Sequence, residues 1–173
     1  MKFKVLQKQN NDSGCFICGL DNPASLRAGF YNCENEDGEK VLITKITGKE
    51  IHQSYPGRMH GGVTSAILDE ALGRAVQALD PNAWAVTIDL AVKFRKPVPL
   101  GEVIYVVSQI TNLGARAYDG EGKMMLADGT VLATATAKYF RVTLEQVAKD
   151  IDVSQINRHM IEEELPEYIA IGE

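Results

Sequence analysis

The chain has 173 residues, a formal net charge of −5, 45% hydrophobic and 24% charged residues, which describes one ordinary globular domain with room for a core. An acidic balance without a basic stripe argues against a nucleic-acid binder. No apolar run reaches the roughly 18 residues of a membrane span. The N-terminal MKFKVLQKQNNDSG lacks the apolar stretch of a secretory signal. The expectation is therefore a cytoplasmic protein that neither crosses a membrane nor binds nucleic acid, with free thiols at Cys15, Cys18 and Cys33.

In chain order, residues 11–25 are rich in turn formers and predict a loop. LRAGFYN (26–32) predicts a first strand, ENEDGE (34–39) an acidic turn, and KVLITKIT (40–47) a second strand. Residues 48–59 predict loop. From Val63 to Leu79 the apolar residues recur at helical spacing over most of the circumference. Pro81 stops this helix, because it disfavours helical backbone at Asp80. Residues 83–95 alternate, with Trp84, Val86, Ile88, Leu90, Val92 and Phe94 expected on one face and Thr87, Asp89, Lys93 and Arg95 on the other. At about 3.3 Å per residue that strand is roughly 40 Å long and should bend around something. Strands at 102–113, 115–127 and 130–142 follow. A kink or bulge is expected at Gly120–Gly122, and a hairpin turn at Asp128-Gly129. The tail predicts helical stretches at 143–150 and 153–165.

Short strands, one buried helix and then a run of strands predict an α+β domain over residues 1–142, an antiparallel sheet wrapped around the helix. Residues 143–173 are expected to form a C-terminal helical extension. One helix covers only one face of such a sheet, so the other face or an edge calls for a second copy of the chain.

The stretch GRMHGGVTSAILDEALG (57–73) carries the chemistry. Gly61 and Gly62 stand at the predicted helix start, where backbone N–H groups lack internal partners and face the positive end of the helix dipole. Glycine lets a ligand approach that backbone, which suits a developing oxyanion. Asp69 lies eight residues beyond Gly61, about 12 Å along the helix. One reacting carbon cannot touch both in one chain, so a site that uses both needs two antiparallel helices from two subunits. A carboxylate near apolar walls serves as a general base for water or as a nucleophile. Periodicity alone does not choose between Asp69 and Glu70 as the inward acid. Cys15-x-x-Cys18 with Cys33 suggests zinc, but a fourth ligand such as His52 would be needed. Buried thiols also serve as small apolar residues, so the expectation is no metal and no cofactor.

HGG with an acid nine residues after His60, then VTIDLAVKFRKP and GE, resembles the hotdog-fold acyl-CoA thioesterases of the phenylacetyl-CoA and 4-hydroxybenzoyl-CoA thioesterase type. CFICGLDNPASL is similar to the CFxCGxxNPxGL opening of one branch, with Ser25 standing where that branch has Gly. The resemblance runs from about Cys15 to Val142. It implies an acyl-CoA thioester hydrolase, a homodimer as the minimal active unit, and a tetramer or hexamer above it. It selects Asp69 as base or nucleophile, Gly61 and Gly62 as carbonyl-polarising groups, and His60 and Thr87 as orienting groups. Gln53 is a candidate for the pocket wall, although relatives place the amide at the position of Ser54. Arg58, Arg95 and Lys96 are candidates for gripping coenzyme A phosphates. A non-hydrolytic acyl-CoA-binding module on the same fold is the alternative, and a metal or redox protein built on Cys15 and Cys18 is a third.

Overall fold

In the computed structural model of the chain, residues 1–143, 146, 158–159 and 164–172 are described. The strands are β1 (Lys2–Lys8), β2 (Asn11–Asp12), β3 (Gly29–Glu34), β4 (Lys40–Thr47), β5 (Trp84–Phe94), β6 (Val103–Leu113), β7 (Ala117–Leu126), β8 (Val131–Val142), β9 (Arg158–His159) and β10 (Tyr168–Ala170). One α-helix, α1 (Gly61–Arg74), continues into a 3₁₀ turn at Ala75–Ala78. Eight strands form one antiparallel sheet in the order β10-β1-β3-β4-β6-β7-β8-β5, and β2 pairs separately with β9. The expected α+β architecture, an antiparallel sheet around one central helix, is the hotdog fold observed.

Helix α1 buries Ile67, Leu68, Ala71 and Leu72 against the inner face of the sheet, with Phe30, Leu42, Ile104, Val106 and Met124 opposite. Each such large side chain contributes about 1.5–3 kcal/mol on burial. A second apolar cluster of Phe3, Tyr31, Cys33, Val41, Ile43, Met125, Ile169 and Ile171 is distinct from the first. KVLITKIT alternates between them: Leu42 and Ile46 join the helix-side core, and Val41 and Ile43 join the other. The chain thus closes part of its sheet's second face by itself.

Three expectations are corrected. First, the expected bulge sits at the edge of its range and on the neighbouring strand: the β6–β7 ladder slips between Ile110 (opposite Gly120) and Asn112 (opposite Asp119), leaving Thr111 of β6 as the extra residue, while Gly120 to Gly122 keep continuous register. Glycine is needed at 122 because α1 comes close: a Cβ there would lie 2.6 Å from Leu72 Cδ1. Second, the helical tail is not supported. Tyr168–Ala170 pairs with β1 as a sheet strand and Arg158–His159 pairs with Asn11–Asp12; of the predicted helices at 143–150 and 153–165, Thr143, Glu164 and Leu165 are not helical, Gln146 is, and the other positions lie outside the described residues. The N-terminal strand β1, which receives β10, was itself unanticipated.

Third, β5 does not alternate throughout. Its ladder with β8 slips between Thr87 (opposite Tyr139) and Asp89 (opposite Lys138), leaving Ile88 as an extra residue. Such a bulge reverses which side chains face inward beyond it. Ala85 packs on the core before it and Leu90 and Val92 after it. Thr87 therefore shares the inner face with the apolar residues, while Val86 and Ile88 stay 48% and 55% exposed. β5 is also the terminal strand of the sheet, with β8 as its single neighbour.

Candidate active site

Helix α1 begins at His60, whose extended backbone (φ −64°, ψ 138°) makes it the N-cap. Its Nδ1 accepts the Gly62 N–H at 2.9 Å, which assigns the ring proton to Nε2. This bond occupies the Gly62 donor, while no partner among the described residues takes the Gly61 N–H. The two glycines also differ sterically. A Cβ on Gly62 would come 3.0 Å from His60 Nδ1, whereas one on Gly61 would make only ordinary contact, 3.6 Å, with the Phe94 ring. Nothing within the chain requires glycine at 61.

Two turns further on, Asp69 is gripped from two strands. Thr87 on β5 donates its hydroxyl to Asp69 Oδ1 at 2.9 Å. Tyr139 on β8 donates to the Asp69 carbonyl at 2.8 Å and approaches Oδ1 at 3.3 Å. The bulge at Ile88 sets Thr87 directly opposite Tyr139. Burial, and then the Asp69 charge, push the Tyr139 phenol above its ordinary value, so it remains a donor. Tyr118 stacks on Tyr139 with ring centroids 5.0 Å apart and donates to the Gly73 carbonyl. Asp69 opens into a cleft of about 190 Å³ that Glu70 and Arg74 also line, together with Gln77, Trp84, Thr87 and Tyr139.

The two adjacent acids point to different flanks of the helix. Glu70 forms a 2.6 Å salt bridge with Arg74. Arg74 in turn reaches the Asn10 carbonyl and Cys18 Sγ and lies over the Phe30 ring. Beside this pair, the Cys18 thiol's hydrogen bond pulls Cys15 down to about 6, and the same bond, with burial, raises Cys18. Cys33 stands apart in the second cluster, and burial pushes its thiol up to about 12. His52 is buried, its Nδ1 accepting the Lys49 N–H and its Nε2 facing the Ala24 carbonyl.

The structure thus joins Asp69 with Thr87, and His60 with Gly61 and Gly62. It does not join the remaining candidates to them. Gln53 turns back to accept the Gly57 N–H. Arg58 is exposed and pairs through its backbone with Pro99. Arg95 lines a hollow of about 400 Å³ that none of Gly61, Asp69 or Thr87 reaches, and Lys96 is exposed beside it in sequence. The residue missed from sequence is Tyr139. Its signal was an aromatic with a polar tip in a strand of small residues, ATATAKY, a pattern that leaves unstated what the hydroxyl meets.

Among described residues no helix is long and apolar enough to cross a membrane. The family model described as "Thioesterase superfamily" matches residues 56–133, the span from the loop before α1 into β8. The chain is 27% identical over 120 residues to acyl-coenzyme A thioesterase THEM4 of Bos taurus, covering 68% of this chain and 48% of the relative. A crystal structure of a thioesterase superfamily protein superimposes with TM-score 0.63 at 23% identity, covering 73% of this chain and 59% of the other. A Bacillus halodurans protein, solved with CoA, aligns with TM-score 0.53 at 27% identity over 57% of this chain and 70% of its own. Over residues 56–133 the chain is similar to the thioesterase superfamily, and its fold is the one these solved structures share. It spans about half the length of the THEM4 relatives it matches.

Proposed function

We propose that the protein hydrolyses an acyl-CoA thioester to a carboxylic acid and coenzyme A in a site shared by two subunits. The observation that carries the reading is the pairing of a held, solvent-facing Asp69 carboxylate with an unclaimed Gly61 N–H on the same helix, too far apart to serve one carbonyl. The names of the relatives support the substrate class: THEM4 is an acyl-coenzyme A thioesterase, and the Bacillus halodurans neighbour holds CoA.

The edge strand supplies the means of sharing. Gly61 lies beside Phe94 at one end of β5, and Asp69 is bonded to Thr87 near the other. Two β5 edges paired antiparallel about a two-fold axis near Leu90 set the Phe94 end of each beside the Thr87 end of its partner. Each Asp69 then faces the partner subunit's helix start. Such pairing also covers an unpaired backbone edge and the exposed Val86 and Ile88, which otherwise invite aggregation. A homodimer is the minimal active unit in this reading, with a tetramer or hexamer built on it.

At the site, the Gly61 N–H and the helix dipole polarise the carbonyl, a donor worth about 2.7–4 kcal/mol of barrier. Asp69 takes a proton from water as the water attacks and the thiolate of coenzyme A leaves, or Asp69 itself attacks the carbonyl carbon, expelling the thiolate and forming an acyl-aspartyl anhydride that water then hydrolyses to the acid and free Asp69. Thr87 and Tyr139 are positioning residues for the carboxylate, and His60 orients the helix start. Gly62 completes the cap. Arg58, Arg95 and Lys96 remain candidates for the nucleotide phosphates, and Gln53 for the pocket wall. Three free cysteines, Cys15, Cys18 and Cys33, fit a reducing cytoplasmic setting.

The test is release of free thiol from short, long and aromatic acyl-CoAs, followed with a thiol reagent. Turnover of at least one class, lost in Asp69→Asn, is expected. Saturable acyl-CoA binding without thiol release would replace hydrolysis by a binding role. Gly61→Ala adds no clash within the chain and should lower kcat without lowering the thermal midpoint; unchanged kcat would remove Gly61 from the site.

A further inference from the structure

About 100° around α1 from Asp69, beside the salt bridge of Glu70 with Arg74, lies a group that hydrolysis does not use. We infer that Cys15, Cys18 and Glu70 form a binding site for a soft divalent metal ion of the zinc class, with three protein ligands and one open position. Their ligand atoms all lie within 4.8 Å of one another, although they come from a loop and from a helix 52 residues further along the chain. This departs from the expectation of no metal drawn from the sequence, where the missing fourth ligand weighed against it and Glu70 went unconsidered.

The loop is built to present sulfur. The Ile17 and Cys18 N–H groups both point at Cys15 Sγ, at 3.3 Å each. The Asp12 N–H points at Cys18 Sγ at 3.4 Å, and Arg74 Nη2 approaches it at 3.3 Å. Two N–H donors aimed at each sulfur give polar support to the thiolate form that ligates a metal, and ion binding itself drives off the Cys18 proton that burial and the Cys15 bond retain. The turn is closed by the Gly19 N–H on the Cys15 carbonyl at 2.8 Å. Only glycine fits there, because a Cβ would stand 2.2 Å from that carbonyl oxygen. Asp12 braces the loop from below through the Gly14 and Cys15 N–H groups, and Asn11 holds the Cys18 carbonyl.

Charge and chemistry select the ion. Two thiolates and one carboxylate carry three negative charges, and Arg74 returns one positive charge, leaving a deficit that a divalent cation matches. Thiolate with carboxylate suits zinc rather than calcium or magnesium, which take all-oxygen sets. Three protein ligands with a water in the fourth position is the open arrangement of zinc. On binding, each thiol proton still present is released to solvent, and Glu70 exchanges its contact with Arg74 for the metal while Arg74 keeps its bond to Cys18. The ion then ties the 13–20 loop to α1 at the residue after Asp69.

The experiment titrates cobalt(II) into the full chain, reduced and free of oxygen, and reads the thiolate-to-cobalt charge-transfer band. One cobalt per chain is expected, displaced by zinc, with proton release and a higher thermal midpoint. Cys15→Ser, at the half-exposed sulfur, should abolish the band. Glu70→Gln should weaken binding by at least the roughly 10–100-fold that loss of an outer-shell partner costs. Circular dichroism of both variants separates lost binding from lost fold. No charge-transfer band in the reduced wild-type chain, or wild-type affinity in a folded Glu70→Gln chain, would overturn the site.

Discussion

Asp69 and Glu70 are neighbours of the same chemical kind, yet their surroundings give them different work. Asp69 is met by two uncharged donors, Thr87 and Tyr139, and opens on a cleft beside an edge strand. Glu70 is met by a cation, Arg74, and by two cysteines on a glycine-closed turn. A step of about 100° around a helix moves a carboxylate from a place where its charge stays available for reaction to one where it is neutralised. The comparison shows that the identity of an acid settles little; the elements packed against each flank settle its role.

The comparison breaks most visibly in Asp69→Asn. Loss of about 10²–10⁴-fold in kcat is expected, with the thermal midpoint nearly unchanged because no ion pair is removed; comparable turnover in the variant would leave the two acids equivalent. Next in size, Ile88→Lys places a charge at the bulge of the exposed edge. Sedimentation should then report monomer where a dimer is expected of the wild-type chain, with hydrolysis falling in parallel. A fully active monomer would show that one chain suffices.

Tyr139→Phe keeps the stacked ring and deletes its hydroxyl from the Asp69 carbonyl and carboxylate. A stability loss of about 1 kcal/mol is expected in denaturant unfolding, with a fall in kcat greater than the change in KM. Equal changes in both would reduce Tyr139 to a packing residue. Smallest of all, Glu70→Gln removes the salt bridge to the half-buried Arg74 and should cost about 1 kcal/mol or less, with a kcat loss well below that of Asp69→Asn. A loss as large as that of Asp69→Asn would mean that the acids were assigned the wrong way round.

The helix, β4 and the long strands were legible because their signals are local. Lys40–Thr47 was bounded correctly by alternation; the helix read from Val63 to Leu79 is present, but it is α-helical over Gly61–Arg74 and ends as a 3₁₀ turn at Ala75–Ala78. The faces of β5 were not legible, since one inserted residue inverts every position beyond it and no glycine marks Ile88. The glycines of β7 suggested a bulge, but at least Gly122 serves a close approach to Leu72 that exists only once the helix has packed. At the site, His60, Gly61 and Asp69 were readable as a motif. Tyr139 and the neighbourhood of Glu70 were not, because they join residues 70 and 52 positions apart in the chain.

The sequence by itself determined an antiparallel sheet around one helix, a glycine pair at that helix's start, and an acid about 12 Å beyond it, a separation that no packing can alter within one rigid helix. Only the tertiary structure decided which acid meets Thr87 and Tyr139 and which meets Arg74, that His60 takes the Gly62 N–H, and that two cysteines meet a glutamate. Those outcomes depend on strand register and on helix rotation against the sheet. Both are chosen by the whole core together, and neither is written into any single stretch of the chain.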